Sequence, residues 1–325
     1  MPKYVFLTYR NRSGSTLLAS LLNNIPDICC TPEAEILSKL LLTGNAKDPV
    51  SEETIKIIET AMASDPKLSF WNLTLSDLDI RFGSKTSKEE MLFSILRAYG
   101  KKNKPDANVL IFKCPILNDY LKNCCKNEDL IRSDLFFLAL LRDPRASFES
   151  QKRSKSLNEF VMDASPRHSA HKWVKFHNMI KNIKAFNCGY VVKYEELILN
   201  PTNTLTKICD ALRLNATLKN VLVEGNSYYH SIPYNQKKLH QGLLNPFNTE
   251  KIDSWKKALN GSEIFLIEII AKQQIKEWDY KLFSPHPNFI NLMIVFCVSE
   301  FKSFLNRSIS FFRKTTIKYK VLKRY

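Results

Sequence analysis

Apolar positions along the chain follow two rhythms. Residues 4–8 (YVFLT), 109–112 (VLIF), 135–141 (LFFLALL) and 190–192 run without a polar break and stop at strand length. Unbroken apolar runs of that length predict strands buried on both faces, as in a parallel sheet. Between them the spacing changes to that of a helix. Leu17, Leu18, Leu21 and Leu22 follow a turn at Gly14, and Ser51-Glu52-Glu53 opens a helix over 51–63. Further helices are predicted over 88–99, 145–152 and 167–185, the last spaced by Trp173, Phe176, His177 and Ile180. Asn200-Pro201 leads another over 202–212, with proline in its first turn. Strands alternating with helices predict an α/β fold, a doubly wound parallel sheet flanked by helices. No repeat or linker interrupts residues 1–287, which read as one domain, and 288–325 reads as a helical, basic tail.

Composition narrows the class. The 325 residues are 44% hydrophobic and 25% charged, with 8 Gly and 14 Pro, so wholesale disorder and collagen-like structure are excluded. No apolar run reaches the roughly 18 residues of a membrane span. The N-terminus enters a strand at once, without a charged leader, so the chain is expected to fold on the side of the membrane where it was made. Adjacent Cys29-Cys30 and Cys124-Cys125, with no C-x-x-C, fit buried thiols in a reducing, cytoplasmic compartment better than a metal or redox motif. The formal net charge of +16 favours a polyanionic partner. His168 and His171 share a helix face but lack a third ligand, so no metal site is read there.

Two segments carry phosphate-binding chemistry. Arg12-Ser13-Gly14-Ser15-Thr16 joins a strand to a helix through a glycine turn, which aims backbone N–H groups and the positive end of the helix at an anion. Ser15 and Thr16 can offer hydroxyls and cap that helix. Neither G-x-x-x-x-G-K-[ST] nor G-x-G-x-x-G occurs, and Arg12 supplies the cation instead. In LLRDPRASFESQKR, residues 140–153, Arg142 ends a strand and Ser150 follows eight residues later in the next helix. A guanidinium and a hydroxyl at a strand's C-terminal end suit a second phosphate. A third segment, VVKYEEL from Val191, ends another strand at Tyr194.

Together these segments resemble the sulfotransferases that use 3′-phosphoadenosine 5′-phosphosulfate. RSGSTLLASLL is similar to the family's 5′-phosphosulfate loop, LLRDPRASFES to its 3′-phosphate motif, and KYEELILNP to a later Tyr-Glu element. The likeness runs in order through roughly residues 3–280 and is nearest the carbohydrate and tyrosyl-protein branch, whose loop begins with Arg. It implies a P-loop-like fold and places the donor on Arg12, Ser13, Gly14, Ser15, Thr16, Arg142, Ser150 and Tyr194. The product would be 3′-phosphoadenosine 5′-phosphate, and no metal is implied.

Sulfuryl transfer needs a base for the acceptor hydroxyl and cations on the migrating group. Matching the Pro-Asp positions of the tyrosyl-protein branch places the catalytic Glu on Glu33, with Glu35 as the alternative. Lys113 abruptly closes an apolar strand and matches the strand-end Lys that the family sets against the sulfate; Arg12 shares its role. The His that other branches place after that Lys is absent, since Cys114-Pro115 follows. Asn245-Pro246-Phe247 ahead of Trp255 resembles the family's late loop. Ser254 stands where relatives often carry a basic residue, and Lys251 and Lys256 are candidates to substitute, with neither singled out.

Residues 289–325 hold eight Lys/Arg against Glu300 alone. Cys297, Phe301, Phe304, Leu305, Ser308 and Phe312 recur at helical spacing, with Lys302, Asn306, Arg307 and Arg313 elsewhere on the wheel. Such a helix can lie on an anionic membrane or pack on its own domain with a solvated basic face. No nucleic-acid-binding module accompanies the charge, so no nucleic-acid partner is expected. The reading is a cytoplasmic sulfotransferase, peripheral at the membrane, acting on a hydroxyl of a carbohydrate or glycolipid. Its rivals are a catalytically silent nucleotide-binding module and a membrane- or nucleic-acid-associated one on the same fold.

Overall fold

The computed structural model describes residues 2–42, 44–80, 86–115, 117–124, 134–154, 163–185, 188–215, 218, 221–222 and 247–322. Cys125, Asn245 and Pro246 lie outside them, as do the side chains of Asn306, Arg307, Phe312 and Arg313. The chain forms two compact units. The first comprises residues 1–141 and 178–248, the second 142–177 and 249–325.

The first unit is built on a five-stranded, wholly parallel sheet. Its strands are β1 (Lys3–Tyr9), β2 (Ile28–Cys30), β3 (Val109–Lys113), β4 (Leu135–Leu141) and β5 (Gly189–Lys193), in the order β2-β3-β1-β4-β5. Four of these are the apolar runs of the sequence. The fifth, β2, was not anticipated: three residues are too few to show a rhythm, and the strand exists because Ile28 to Cys30 pair in register with Val109 to Ile111. The register Leu7↔Lys113 aligns the C-terminal ends of β1 and β3.

The sheet is buried because its side chains are apolar on both faces. Phe6, fully buried, has ring centroids of Phe112 at 6.0 Å, Tyr120 at 5.5 Å and Phe137 at 6.1 Å around it, mostly edge to face. Helix α1 (Ser15–Asn23) follows β1. Then come α2 (Glu35–Leu42), α3 (Glu52–Ser64), α4 (Lys88–Asn103) and α5 (Leu117–Cys124). Ser51 and Ser87 cap α3 and α4 by accepting from Thr54 N and Glu90 N, each at 3.1 Å. The Lys104 ammonium, just past α4, donates to the carbonyls of Asn23 at 2.6 Å, Ile25 at 2.6 Å and Ile28 at 2.8 Å. It thereby satisfies the open end of α1 and ties it to the start of β2.

The second unit is helical. Helix α6 (Pro144–Arg153) starts with proline in its first turn and Asp143 as its cap, and α7 (Pro166–Ala185) begins in this unit. Helices α8 (Tyr194–Leu199) and α9 (Pro201–Leu212) belong to the first unit. The second resumes with α10 (Glu250–Asp253), α11 (Trp255–Ala258), α12 (Gly261–Glu277) and α13 (Phe289–Leu322). Its core gathers Ala146, Phe148, Ala170, Trp255, Ile264 and Ile267.

Candidate active site

The segment after β1 turns sharply before α1 begins. Ser13 N donates to Arg10 O at 3.1 Å, and two residues take left-handed backbone angles, Arg12 at φ 70° and Gly14 at φ 95°. A non-glycine residue held there carries strain on the order of 1–3 kcal/mol and concentrates at functional sites. Gly14 is required twice over: besides its φ, a Cβ would sit 2.4 Å from Tyr194 Cδ2. The buried Tyr194 ring, at the start of α8, therefore closes directly on the turn. The N-cap of α1 is Gly14 and no side chain caps it; Ser15 and Thr16, expected as caps, lie buried within the first turn. Only glycine meets both demands at that position, which displaces the hydroxyls into the helix.

That loop fits an anion. The first N–H groups of α1 have no acceptor within the helix, and the positive end of the helix dipole adds to them. The Ser13 hydroxyl is buried and finds no hydrogen-bond partner among the described residues.

Glu33, three residues past β2, lies among cations. Its Oε1 accepts from Lys113 Nζ at 2.7 Å and from the Tyr9 hydroxyl, and its Oε2 accepts from Lys67 Nζ at 3.2 Å. Lys67 also reaches Glu35 Oε1 at 3.1 Å. The Lys113 ammonium lies 5.2 Å from the centroid of the Tyr9 ring, over its face. Burial alone would push the Glu33 carboxyl up, but the Lys113 and Lys67 charges and the Lys113 and Tyr9 hydrogen bonds outweigh it. The carboxyl is held well below the usual carboxylate range, deprotonated at every physiological pH. For Lys67, burial pulls down and the two glutamates push up, and the net direction is upward.

Lys113 is only 3% exposed at the end of β3, whereas Glu33 keeps 23% of its side chain open and Glu35 47%. The structure thus brings Glu33 and Lys113 together and adds two residues that sequence reasoning did not single out. Tyr9 carried a weak signal, as the last residue of the strand leading into the phosphate loop. Lys67 carried none, because it sits between α3 and the 3-10 turn Leu68–Trp71 with no motif around it.

In the second unit, Arg142 directly follows β4 and is buried. Its Nη2 donates to Lys251 O at 2.8 Å, and its own carbonyl accepts from Trp173 Nε1 at 2.8 Å. Ser150 is buried on α6. Arg145, between them in sequence, has a different part. Its guanidinium binds Asp143 through Nε at 3.0 Å and Nη2 at 2.6 Å, pairs with Glu268, and stacks 4.0 Å from the Trp255 ring centroid. Every one of those partners is internal, so Arg145 holds α6, α11 and α12 together. Lys256 pairs with Asp253 at 2.8 Å, and Lys251 meets Arg142 through its backbone.

The chain matches a family model described as "Sulfotransferase family" over residues 5–217. Among solved structures it is similar to the sulfotransferase domain from the curacin biosynthetic pathway, at 20% identity and a TM-score of 0.51. That likeness covers 87% of this chain and 99% of the other. It is also similar to the sulfotransferase domain from the Synechococcus PCC 7002 olefin synthase, at 21% identity and a TM-score of 0.52, covering 83% and 94%. At such identities the two structures speak for the parallel sheet and its flanking helices. The family match takes in β1 from Val5, all of β2 to β5 and both strand-end motifs, and by it the chain belongs to the sulfotransferase family, enzymes that draw a sulfuryl group from 3′-phosphoadenosine 5′-phosphosulfate.

Proposed function

We propose that this sulfotransferase works in the carbohydrate and tyrosyl-protein manner, transferring the sulfuryl group in line to a hydroxyl of a carbohydrate or glycolipid with Glu33 as base. One observation carries the reading: the Glu33 carboxylate on the Lys113 ammonium at 2.7 Å, a base beside a cation at adjacent strand ends. Arg12 to Thr16 hold the 5′-phosphosulfate, with Tyr194 packed on the turn to fix its shape. Arg142 and Ser150 take the 3′-phosphate.

In the reaction the acceptor oxygen bonds to sulfur as the bond from sulfur to the 5′-phosphate oxygen breaks. The acceptor proton passes to Glu33, and 3′-phosphoadenosine 5′-phosphate leaves. Lys113 has three donor hydrogens, and only one engages Glu33 Oε1; turning the others to the sulfuryl oxygens would stabilise the charge that develops there. It would also weaken its grip on Glu33, which raises the basicity of the carboxylate when the donor is in place. Lys113 and Arg12 together supply the positive charge.

The choice of acceptor rests on Arg12 at the head of the loop, where the branch acting on small phenols and steroids carries Lys. The proposed place is the cytoplasm, peripheral at a membrane surface where a lipid-linked glycan would be met. Transfer of labelled sulfate from the donor to a panel of glycans, glycolipids, tyrosine peptides and hydroxyacyl compounds tests it. Label on the glycans or glycolipids is expected. Label confined to another class overturns the acceptor, and no label anywhere overturns the catalytic assignment.

A further inference from the structure

Helix α13 leaves a wide apolar face in solvent. Over its first five turns most of the large apolar side chains face outward, Ile290 being 66% exposed, Ile294 54%, Phe301 62% and Phe304 64%, while Leu292, Val295 and Phe296 are half-buried. Met293 and Val298 extend the same stripe. Ser299 and Ser303, one turn apart, are its fully buried residues among those described. An amphipathic helix in a globular protein keeps its apolar stripe inward, whereas the larger share of this one is outward.

The orientation is fixed by polar contacts. Glu300 accepts from Arg167 Nη2 at 3.3 Å and from the Ser165 hydroxyl, and the Arg167 guanidinium lies 5.5 Å from the Phe296 ring centroid. Rotating the helix to bury its phenylalanines would break these. An apolar stripe of this length is uncommon on a soluble surface and marks an interaction site.

We infer that the outward face of α13 seats the protein on an anionic lipid surface, with the helix axis lying in the plane of the headgroups. Charge selects this occupant. Lys302 is exposed beside the stripe, and residues 289–325 hold eight Lys/Arg against the single acid Glu300, which is already engaged by Arg167. A second copy of the chain would set two such basic helices against each other. An anionic leaflet attracts each Lys or Arg and accepts the phenylalanines among its acyl chains. No helix among the described residues is long and apolar enough to cross a membrane. The inference deepens the peripheral location proposed above and depends on the glycolipid reading only for where the acceptor is found.

Co-sedimentation tests it with the full chain. The probes are vesicles of phosphatidylcholine mixed with phosphatidylserine, and of phosphatidylcholine alone. Binding to the mixed vesicles at low salt, weakened at high salt and weaker still on phosphatidylcholine alone, is expected. The double variant Phe301→Glu, Phe304→Glu should partition on the order of a hundredfold less, since two aromatic side chains no longer enter the lipid. Both positions face solvent, so the variant keeps its fold, which thermal stabilisation by 3′-phosphoadenosine 5′-phosphate checks independently.

No binding, or binding that the variant leaves unchanged, overturns the inference while leaving sulfuryl transfer untouched. A larger particle in light scattering without vesicles, reduced to monomer by the variant, overturns it in favour of a second copy of the chain. Vesicle binding without stabilisation by the nucleotide would strike the donor assignment and leave the lipid surface standing.

Discussion

Lys113 donates to Oε1 of Glu33 at 2.7 Å, from the end of a strand that pairs with β2, which ends three residues before Glu33. The proximity is built into the sheet. Thr31 N donates to Ile111 O at 2.9 Å, so two residues of chain on either side of that bond bring the carboxylate and the ammonium level. Glu33→Gln keeps the shape and removes the carboxylate proposed as base. It should lower turnover by about 100- to 10,000-fold, with nucleotide affinity near wild type because Arg12 to Thr16 are untouched. Glu35→Gln should change turnover little, its carboxylate being exposed and, among the described residues, paired with Lys67. Steady-state rates and nucleotide titrations on the two variants distinguish them; the reverse ranking would move the base to Glu35.

Lys67 adds to the larger effect of Lys113 in holding the Glu33 carboxyl low. An unfolded Glu titrates near about 4.3, and the folded Glu33 titrates lower. Its contribution to stability is therefore complete above the unfolded value and is lost as pH falls through the folded one. The acid limb of kcat/KM should lie below the ordinary carboxylate range. In Lys67→Met one of the two charges is gone, and the limb should move upward. An unshifted limb would mean that Lys67 only supports the loop.

The 3′-phosphate assignment has its own measurement. Raising the concentration of a ligand that binds only the folded state raises Tm. 3′-Phosphoadenosine 5′-phosphate should do so strongly, and 5′-AMP, lacking the 3′-phosphate, far less. Arg142→Ala should erase the difference between them. Equal shifts in the wild-type protein would remove Arg142 and Ser150 from the donor site.

Arg145 should behave as a structural residue. Removing one partner of a buried, hydrogen-bonded ion pair typically costs about 3–5 kcal/mol. Arg145→Ala strands Asp143 and Glu268, so a loss of that order is expected in denaturant unfolding. A fully stable variant with impaired nucleotide binding would show that its partners had been misjudged.

How much of this was legible before the fold was known depends on chain locality. VLIF and LFFLALL announced β3 and β4 because both faces of those strands are buried and no polar residue interrupts them. β2 was silent because its three residues gain their strand conformation from β3 rather than from their own pattern. Glu33 and Lys113 could be named singly, each at the end of a recognisable segment, but nothing local says that they touch. Lys67 is the clearest case of information absent from its neighbourhood. Its partner lies 34 residues away, and Asp65-Pro66-Lys67 reads as an ordinary helix exit. Gly14 shows the converse, since its turn was legible but Tyr194 pressing on it 180 residues later was not.

The long separations have a kinetic meaning. Tyr9, Glu33, Lys67 and Lys113 are joined by hydrogen bonds that span 24, 34 and 80 residues of chain. Contacts of that range form only after costly loops have closed. Helix α1 and its turn can take shape locally, but Glu33 and Lys113 meet only when β1, β2 and β3 have come into register. A nascent or partly refolded chain would hold a phosphate loop without the means to spend a donor on it. Regained transfer activity is thus a stricter clock of refolding than regained helix, timing the pairing of β1 and β2 with β3.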